Sequence, residues 1–146
     1  MFTFSLLRVF YNVNNRKMSM LIIKNKSEVL YLQLDNILYI QADGNYSNIF
    51  LADGGVINTL TYQRAEIARM MDEQLTKRER EQFALLGRSY LINTRYVLRI
   101  QPSKQILTFC INRFGTCKKT SIKATAKALD SLIAEMDKRK EETQTE

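Results

Sequence analysis

The chain has 146 residues, of which 22 are basic and 15 acidic, so its net charge is +7. It contains no histidine. A chain of this length can bury a core as one domain without metal or disulfide staples. The absence of histidine removes the commonest general base and metal ligand, and the positive charge favours an anionic partner, with nucleic acid ahead of a membrane surface.

Residues 1–28 are expected to form a flexible or edge-packed leader, followed by one domain over 29–137 and a polar tail over 138–146. The apolar part of the leader is short, is interrupted by Arg8, and lacks the cleavage site of a signal peptide. It also falls well below the ~20 apolar residues that a membrane helix needs. We therefore expect a cytoplasmic protein with no membrane partner.

The stretch over 21–60 is predicted to consist of consecutive strands. Its β-branched and aromatic runs end at 43–45 (Asp-Gly-Asn) and 53–55 (Asp-Gly-Gly). Both junctions indicate hairpins, because glycine accepts a positive φ at little cost. Connections this tight predict antiparallel sheets.

The hydrophobic period changes after Thr61, which is a reasonable helix N-cap. Over 61–75 the apolar residues at helical spacing are Ile67, Met70, Met71 and Leu75. A charged link over 76–82, then three or four strands, and a final amphipathic helix over 121–142 are expected to follow. The apolar stripe of that last helix consists of Ile122, Ala126, Leu129, Ile133 and Met136. The predicted fold is mainly β with helical additions.

The two cysteines, Cys110 and Cys117, lie on strands that are expected to face each other across a four-residue loop over 112–115. In that register the two residues are directly opposite. A cross-strand thiol pair in a reducing cytosol is expected, with a redox switch as the alternative. Two cysteines do not make a zinc site, so no metal or cofactor is predicted.

Catalytic motifs are missing from the sequence. It contains no G-x-x-x-x-G-K-[ST], no G-x-G-x-x-G and no nucleophile elbow. Asp35, Asp43 and Asp53 stand beside turns, where aspartate is expected for backbone reasons alone. We therefore predict that the protein is not an enzyme.

Lysines cluster where the last helix is expected to begin. Lys119, Lys123 and Lys127 recur every four residues, so those that are helical share one face. A solvated face is the simpler explanation. However, cations at a helix amino terminus oppose the macrodipole, which is easier to understand if an anion docks there.

Three segments combine a strand end with polar or basic side chains: 44–47 (GNYS), 87–89 (GRS) and 120–123 (TSIK). Antiparallel strands can bring alternate strand ends to the same side of a sheet. Arg88 is then suited to read a guanine edge, and the candidates for phosphate or base contacts are Asn45, Ser47 and Lys123.

Two further polar residues are expected to have structural roles. Tyr46 lies at a predicted strand end, where a tyrosine caps the core more often than it contacts a ligand, so we expect it to cap the core. Asn93, after an apolar run, is expected to make turn hydrogen bonds.

From about 29 to 137 the chain resembles the LytTR DNA-binding domain. The segments that carry the resemblance are NILYIQADGNYSNIFLADGG, LTYQRAEIARMM, FALLGRSYLINTRYVLRI and KTSIKATAKAL. The third segment is the most specific. The family pattern there is an aromatic residue and, a few residues later, a basic residue followed directly by Ser-aromatic-aliphatic-aliphatic-Asn. An Ile-containing strand comes next. The matching residues are Phe83, Arg88, Ser89, Tyr90, Leu91, Ile92, Asn93 and Ile100.

The resemblance implies an elongated antiparallel β fold of about ten strands, with a short middle helix and a C-terminal amphipathic helix. It further implies a bacterial transcriptional regulator, related to the output domains of response regulators, whose loops enter the major grooves of double-stranded DNA. Together with the lysine pattern, it gives the expected DNA-binding set Asn45, Tyr46, Ser47, Arg88, Ser89, Lys119 and Lys123.

Two positions depart from common family patterns. Gly87 stands where a histidine often precedes the basic residue. Lys123 stands where arginine is frequent, and lysine reads guanine less exclusively. Base preference is therefore the property that transfers least from the family.

The resemblance also sets expectations about partners. About 28 residues cannot hold a receiver domain, so we expect a stand-alone regulator or one controlled by a protein partner, with pairing on DNA repeats. The alternative is a β-rich protein-interaction module that has lost DNA affinity. Single-stranded RNA binding would need exposed stacking aromatics, which Tyr46 alone supplies weakly.

Overall fold

The computed structural model of the chain describes residues 19–59, 62–113 and 115–144. In them lie ten strands and three α-helices, and every strand pair is antiparallel. The strands are β1 (Met20–Lys24), β2 (Val29–Gln33), β3 (Ile37–Asp43), β4 (Tyr46–Leu51), β5 (Val56–Thr59), β6 (Phe83–Leu86), β7 (Tyr90–Asn93), β8 (Val97–Gln101), β9 (Ile106–Arg113) and β10 (Thr116–Lys123). The helices are α1 (Arg64–Gln74), α2 (Lys77–Arg80) and α3 (Ala126–Gln144). The predicted mainly β, antiparallel fold with a middle and a C-terminal helix is confirmed.

The strands form three sheets: a β1–β2 ribbon, a five-stranded sheet in the order β5-β4-β3-β7-β6, and a three-stranded sheet in the order β10-β9-β8. The five-stranded sheet is buried on both faces, because successive side chains of a strand point to opposite sides. Ile40 and Leu91 belong to a first core shared with the ribbon and α1. Their neighbours Tyr39 and Ile92 belong to a second core shared with the three-stranded sheet and α3.

Tyr39 links the two larger sheets through aromatic contacts. Its ring stacks on Phe50 with centroids 4.4 Å apart and on Phe109 of the other sheet at 5.4 Å. Tyr90 meets it edge-on at 5.8 Å. Burial raises the pKa of Tyr39. This aromatic cluster packs the β7 strand, which carries the family-like signature, against the second core.

The folded unit begins earlier than the sequence analysis predicted. Leu21 and Ile23 of β1 are almost fully buried, and the outer edge of β1 is tied to α1. The amide of Gln74 accepts a hydrogen bond from the Ile22 backbone N at 2.8 Å and donates one to the Ile22 carbonyl at 2.7 Å. β1, within the segment 1–28 that the sequence analysis described as a flexible or edge-packed leader, thus contributes to the first core, while residues 1–18 lie outside the described residues.

The middle helical region also differs from its prediction. Thr61 lies outside the described residues, and α1 begins at Arg64 after Gln63 as N-cap. The predicted charged link contains a further turn of helix, α2, which a capping box opens. Thr76 Oγ1 accepts from the Glu79 N at 3.2 Å, and the Glu79 carboxylate accepts from the Thr76 N at 2.9 Å.

The C-terminal helix starts later and ends later than predicted. Residues 116–123 pair with β9 along their whole length, so α3 begins only at Ala126 and runs to Gln144. Lys119 and Lys123 are therefore in β10, and Lys127 alone of the three is helical. The predicted shared helical face was wrong, because eight continuous cross-strand pairs with β9 hold these residues in a strand.

The register of the β9–β10 hairpin is shifted by two residues from the prediction. Arg113 pairs with Thr116, which leaves two residues rather than four between the strands. Cys110 consequently pairs with Lys119, and the cysteines are diagonal neighbours with Cα atoms 5.7 Å apart. This separation lies within the range of disulfides. The structure joins them as a disulfide, in place of the predicted thiol pair.

Candidate nucleic-acid interface

Two glycine turns lie at the same end of the five-stranded sheet. The turn at 44–45 joins β3 to β4, and the turn at 87–89 joins β6 to β7. β3 and β7 pair with Gln41 opposite Tyr90, and the Ala42 N donates to the Ser89 carbonyl at 2.7 Å. Gly44 and Gly87 both have left-handed φ values, +62° and +61°, which the tight turns require. The fold thus sets the two turns side by side.

The β10–α3 junction approaches the same place. β10 ends at Lys123, three residues before α3 begins. The first turn of α3 lies against the 87–89 turn, since a Cβ built on Gly87 would stand 3.6 Å from the Cβ of Ala128. All three segments singled out in the sequence therefore border one end of the molecule.

Arg88 and Ser89 project from the 87–89 turn into solvent. Both are exposed, and Arg88 has no ion pair with any residue that the structure describes. Its position between an αL glycine and the start of β7 fixes the backbone that carries the guanidinium. The fixed charge is consequently available to a ligand.

Asn45 and Tyr46 occupy the neighbouring turn. The Asn45 Oδ1 accepts a hydrogen bond from the Gln63 Nε2 at 3.4 Å, which leaves the Asn45 Nδ2 as a donor. Tyr46 is 50% exposed, so it does not cap the core as the sequence analysis expected. Both side chains can meet a ligand that approaches Arg88.

Ser47 has a different environment from its neighbour Tyr46. It is fully buried, and its hydroxyl donates to the Tyr62 carbonyl at 2.7 Å. Its side chain points to the first core because β4 begins at Tyr46 and the next residue faces inward. This burial does not fit the DNA contact expected of Ser47.

Lys119 and Lys123 lie on the outer face of the three-stranded sheet, opposite to buried Ile122. Both are exposed, but Lys119 is four residues from the strand end, about 13 Å along β10. Arg99 of β8 is also exposed, and its cross-strand partner is Thr108. Sequence analysis missed Arg99, although the alternation in β8 could have indicated it.

The start of α1 adds two more residues that sequence analysis missed. Gln63 orients Asn45, and it occupies the N-cap position, where Ser, Thr, Asp or Asn is preferred. Arg64 is half-buried beside it, and burial lowers the pKa of its guanidinium. A half-buried cation in the first turn of a helix opposes the macrodipole, which places extra positive charge near the 44–45 turn.

Neither a metal centre nor a membrane helix is evident in the described part of the chain. No three His, Cys, Asp or Glu side chains converge there as metal ligands do. Within the same residues, no helix is both long and apolar enough to cross a bilayer.

A protein-family model described as the LytTr DNA-binding domain matches residues 27–124, more than half of the chain. The chain belongs to this family. The LytTr family is one of DNA-binding domains rather than enzymes. The matched LytTr segment contains both glycine turns and ends one residue after Lys123.

Two other comparisons complete the findings. No curated protein sequence matches the chain. Among solved structures, the chain is similar to the LytTr DNA-binding domain of a Bacillus cereus protein described as a methyl-accepting/DNA response regulator. That match has 13% sequence identity and a TM-score of 0.49, and it covers 81% of this chain and 96% of the other.

Proposed function

We propose that this LytTr protein binds double-stranded DNA sequence-specifically, with its turns in the major groove, and acts as a bacterial transcriptional regulator. The observation that carries the proposal is the shared location of the 44–45 turn, the 87–89 turn and the β10–α3 junction. Arg88, which is exposed and forms no ion pair with any described residue, lies in the middle of these three segments. A cytoplasmic location and pairing on repeated DNA sites complete the proposal.

The side chains divide into base-reading and phosphate-binding groups. Arg88 has the planar donor fork that matches the O6 and N7 acceptors of guanine. Asn45, with its Oδ1 engaged by Gln63, offers a donor to an acceptor on a base or phosphate. Ser89 and Tyr46 supply hydroxyls at the edges of the turns. This division makes Arg88 the main source of sequence preference.

The remaining cations are suited to phosphates. Lys123 stands at the junction, and Lys119 continues the positive outer face along β10. Lysine binds phosphate as a point charge and discriminates weakly between bases. Ser47 is omitted from the proposed contacts, because its hydroxyl is buried and bonded to the backbone.

Selection from a random-sequence duplex library, repeated at two salt concentrations, tests the proposal. We expect an enriched motif and a log affinity that falls linearly with log salt, with a slope of about −0.9 for each phosphate neutralised. The absence of binding even at low salt would overturn the proposal. It would favour the interaction module that has lost DNA affinity.

A further inference from the structure

A shallow basic cavity, open to solvent, lies at the opposite end of the β6–β7 hairpin from Arg88. Its volume is about 970 Å³, and its cations are Lys77, Arg78, Arg95, Arg139 and Lys140. Two carboxylates, from Glu81 and Glu142, also line it. This site is called the basic cavity below.

The position of the basic cavity separates it from the proposed DNA interface. Gln82 and Thr94 in its wall come directly before β6 and directly after β7, whereas the 87–89 turn joins the other ends of these strands. Four residues of strand span about 13 Å. Along α3, Arg139 is eleven residues beyond Ala128, or about 16 Å. A ligand in the cavity therefore occupies a separate surface.

Two of the five cations have a clear structural role. Arg139 pairs with Glu135 at 3.0 Å and donates to the Phe83 carbonyl at 3.1 Å, which fastens α3 to the start of β6. Arg95 pairs with Asp35 at 2.6 Å. These contacts explain why both arginines are present without any ligand.

The other three cations have no such explanation. Lys77, Arg78 and Lys140 are exposed and form no ion pair with any described residue. Lys140 precedes the last turn of α3, where the effect of the macrodipole is concentrated. The macrodipole also does not account for two cations on α2. Like charges that converge on one cavity repel one another, and an anionic ligand would remove that repulsion.

The rest of the lining favours a peptide over nucleic acid or a simple anion. Glu81 and Glu142 repel phosphates and carboxylates alike. They can, however, accept hydrogen bonds from the backbone N–H groups that a peptide carries and a phosphate backbone lacks. Oε1 of Gln82 is buried without a hydrogen-bond partner among the described residues. A backbone N–H can satisfy this acceptor once the side chain turns toward the cavity, which a phosphate dianion cannot do.

We propose that the basic cavity docks an acidic segment of a protein partner, whose carboxylates pair with Lys77, Arg78 and Lys140. Arginine and carboxylate form bidentate pairs, and the volume suits a few peptide residues. The site does not depend on DNA binding. It provides a surface at which a partner can engage the protein while the Arg88 end is occupied.

Titration of the ¹⁵N-labelled full chain with N-acetylated hexaglutamate tests this proposal. We expect saturable amide shifts confined to 77–82, 94–95 and 136–142. The double variant Arg78→Glu/Lys140→Glu should weaken binding at least about tenfold, because each reversal turns an attraction into a repulsion. The matched control Lys24→Glu/Lys26→Glu makes the same charge change on the exposed β1–β2 ribbon and should bind like the parent chain.

Several results would overturn the proposal. Shifts spread over all surface lysines, or equal loss in both double variants, would indicate only non-specific attraction. Equal saturation by inorganic phosphate at the same amides would indicate a small-anion site. If a DNA duplex shifts these amides and Arg78→Glu/Lys140→Glu weakens DNA binding as much as Arg88→Ala does, the cavity belongs to the DNA interface.

Discussion

The two ends of β7 are marked by polar residues that have opposite roles. Asn93, at the far end, is fully buried, and its amide donates to the Ile37 carbonyl at 2.9 Å and the Leu34 carbonyl at 3.4 Å. Its Oδ1 accepts from the Arg95 N at 3.1 Å. Arg88, at the near end, is exposed and has no ion pair with any described residue.

The same contrast separates the asparagines Asn93 and Asn45. Asn93 has both amide atoms engaged by the backbone of 34–37 and 95, so it ties the end of β7 to the turn that leads into β3. Among the described residues, Asn45 has one weak side-chain bond, which its Oδ1 accepts from Gln63 at 3.4 Å. A polar residue at a strand end therefore has a structural role where backbone groups engage its donors and acceptors, and it can bind a ligand where its donors remain unengaged.

The largest effect is expected for Asn93→Ala. The substitution removes the Asn93 donor from the Ile37 carbonyl and the Arg95 N loses its side-chain acceptor, whereas the Leu34 carbonyl keeps the Ile37 N–H as a donor. The free energy of unfolding should therefore fall by roughly 2–3 kcal/mol. Urea denaturation measures the loss, with Asn58→Ala at an exposed position of β5 as the control. Equal small losses in the two variants would contradict the structural role of Asn93.

The next effect concerns binding rather than stability. Arg88→Ala should weaken binding to the selected DNA motif by about 1–3 kcal/mol and relax preference at one base position. The free energy of unfolding should stay the same, since Arg88 forms no ion pair with any described residue. Fluorescence anisotropy measures the affinity, and Lys26→Ala removes an exposed charge elsewhere. Similar losses of DNA affinity in both variants would contradict this prediction and indicate that Arg88 contributes only its positive charge.

Ser47→Ala should lower the free energy of unfolding by about 1 kcal/mol, because the Tyr62 carbonyl loses its buried donor. DNA affinity, measured under conditions where the variant is folded, should equal that of the parent chain. A loss of specificity without a loss of stability would return Ser47 to the DNA-contact set and require β4 to open on binding.

The smallest effect is expected for the ion pair between Arg95 and Asp35. Their side chains are 58% and 57% exposed, so a double-mutant cycle should give a coupling of at most about 1 kcal/mol. The coupling should fall further in high salt. A much larger, salt-independent value would show that this exposed pair helps to fix the far end of β7, as Asn93 does.

Much of the fold could be predicted from local sequence. The alternation in β3 and β4 and the glycines at 44 and 54 locate the hairpins, because period and turn chemistry are local properties. Boundaries that depend on distant partners could not be found in this way. Whether residues 20–24 join the core depends on β2 and on Gln74, 52 residues after Ile22.

The C-terminal third shows a second limit. The helix was predicted to begin at Ser121, yet residues 116–123 are held in a strand by pairing with β9, and the helix begins only at Ala126. The two-residue connection between Arg113 and Thr116 then shifts the partners of both cysteines. Local propensity did not decide between these outcomes, because the competing interaction is cross-strand.

The sequence indicated which residues form the candidate site, but it did not indicate which of their side chains are exposed. The turns around Asn45 and Arg88 could be recognised from glycine and from the family-like signature. The burial of Ser47 had a signal that was overlooked, since Ser47 and Ile49 share a face of β4. No local sequence pattern indicated the basic cavity, because α2 and the end of α3 are about 60 residues apart in the chain.

Helix α3 has a practical consequence for anyone who trims this protein. The LytTr match ends at residue 124, yet Leu129 and Leu132 of α3 are almost fully buried in the second core. At the other end the match starts at residue 27, after the buried β1. A fragment cut at the matched limits would expose apolar surface at both ends and be prone to aggregate. The segment by which the family is recognised is thus smaller than the unit that folds.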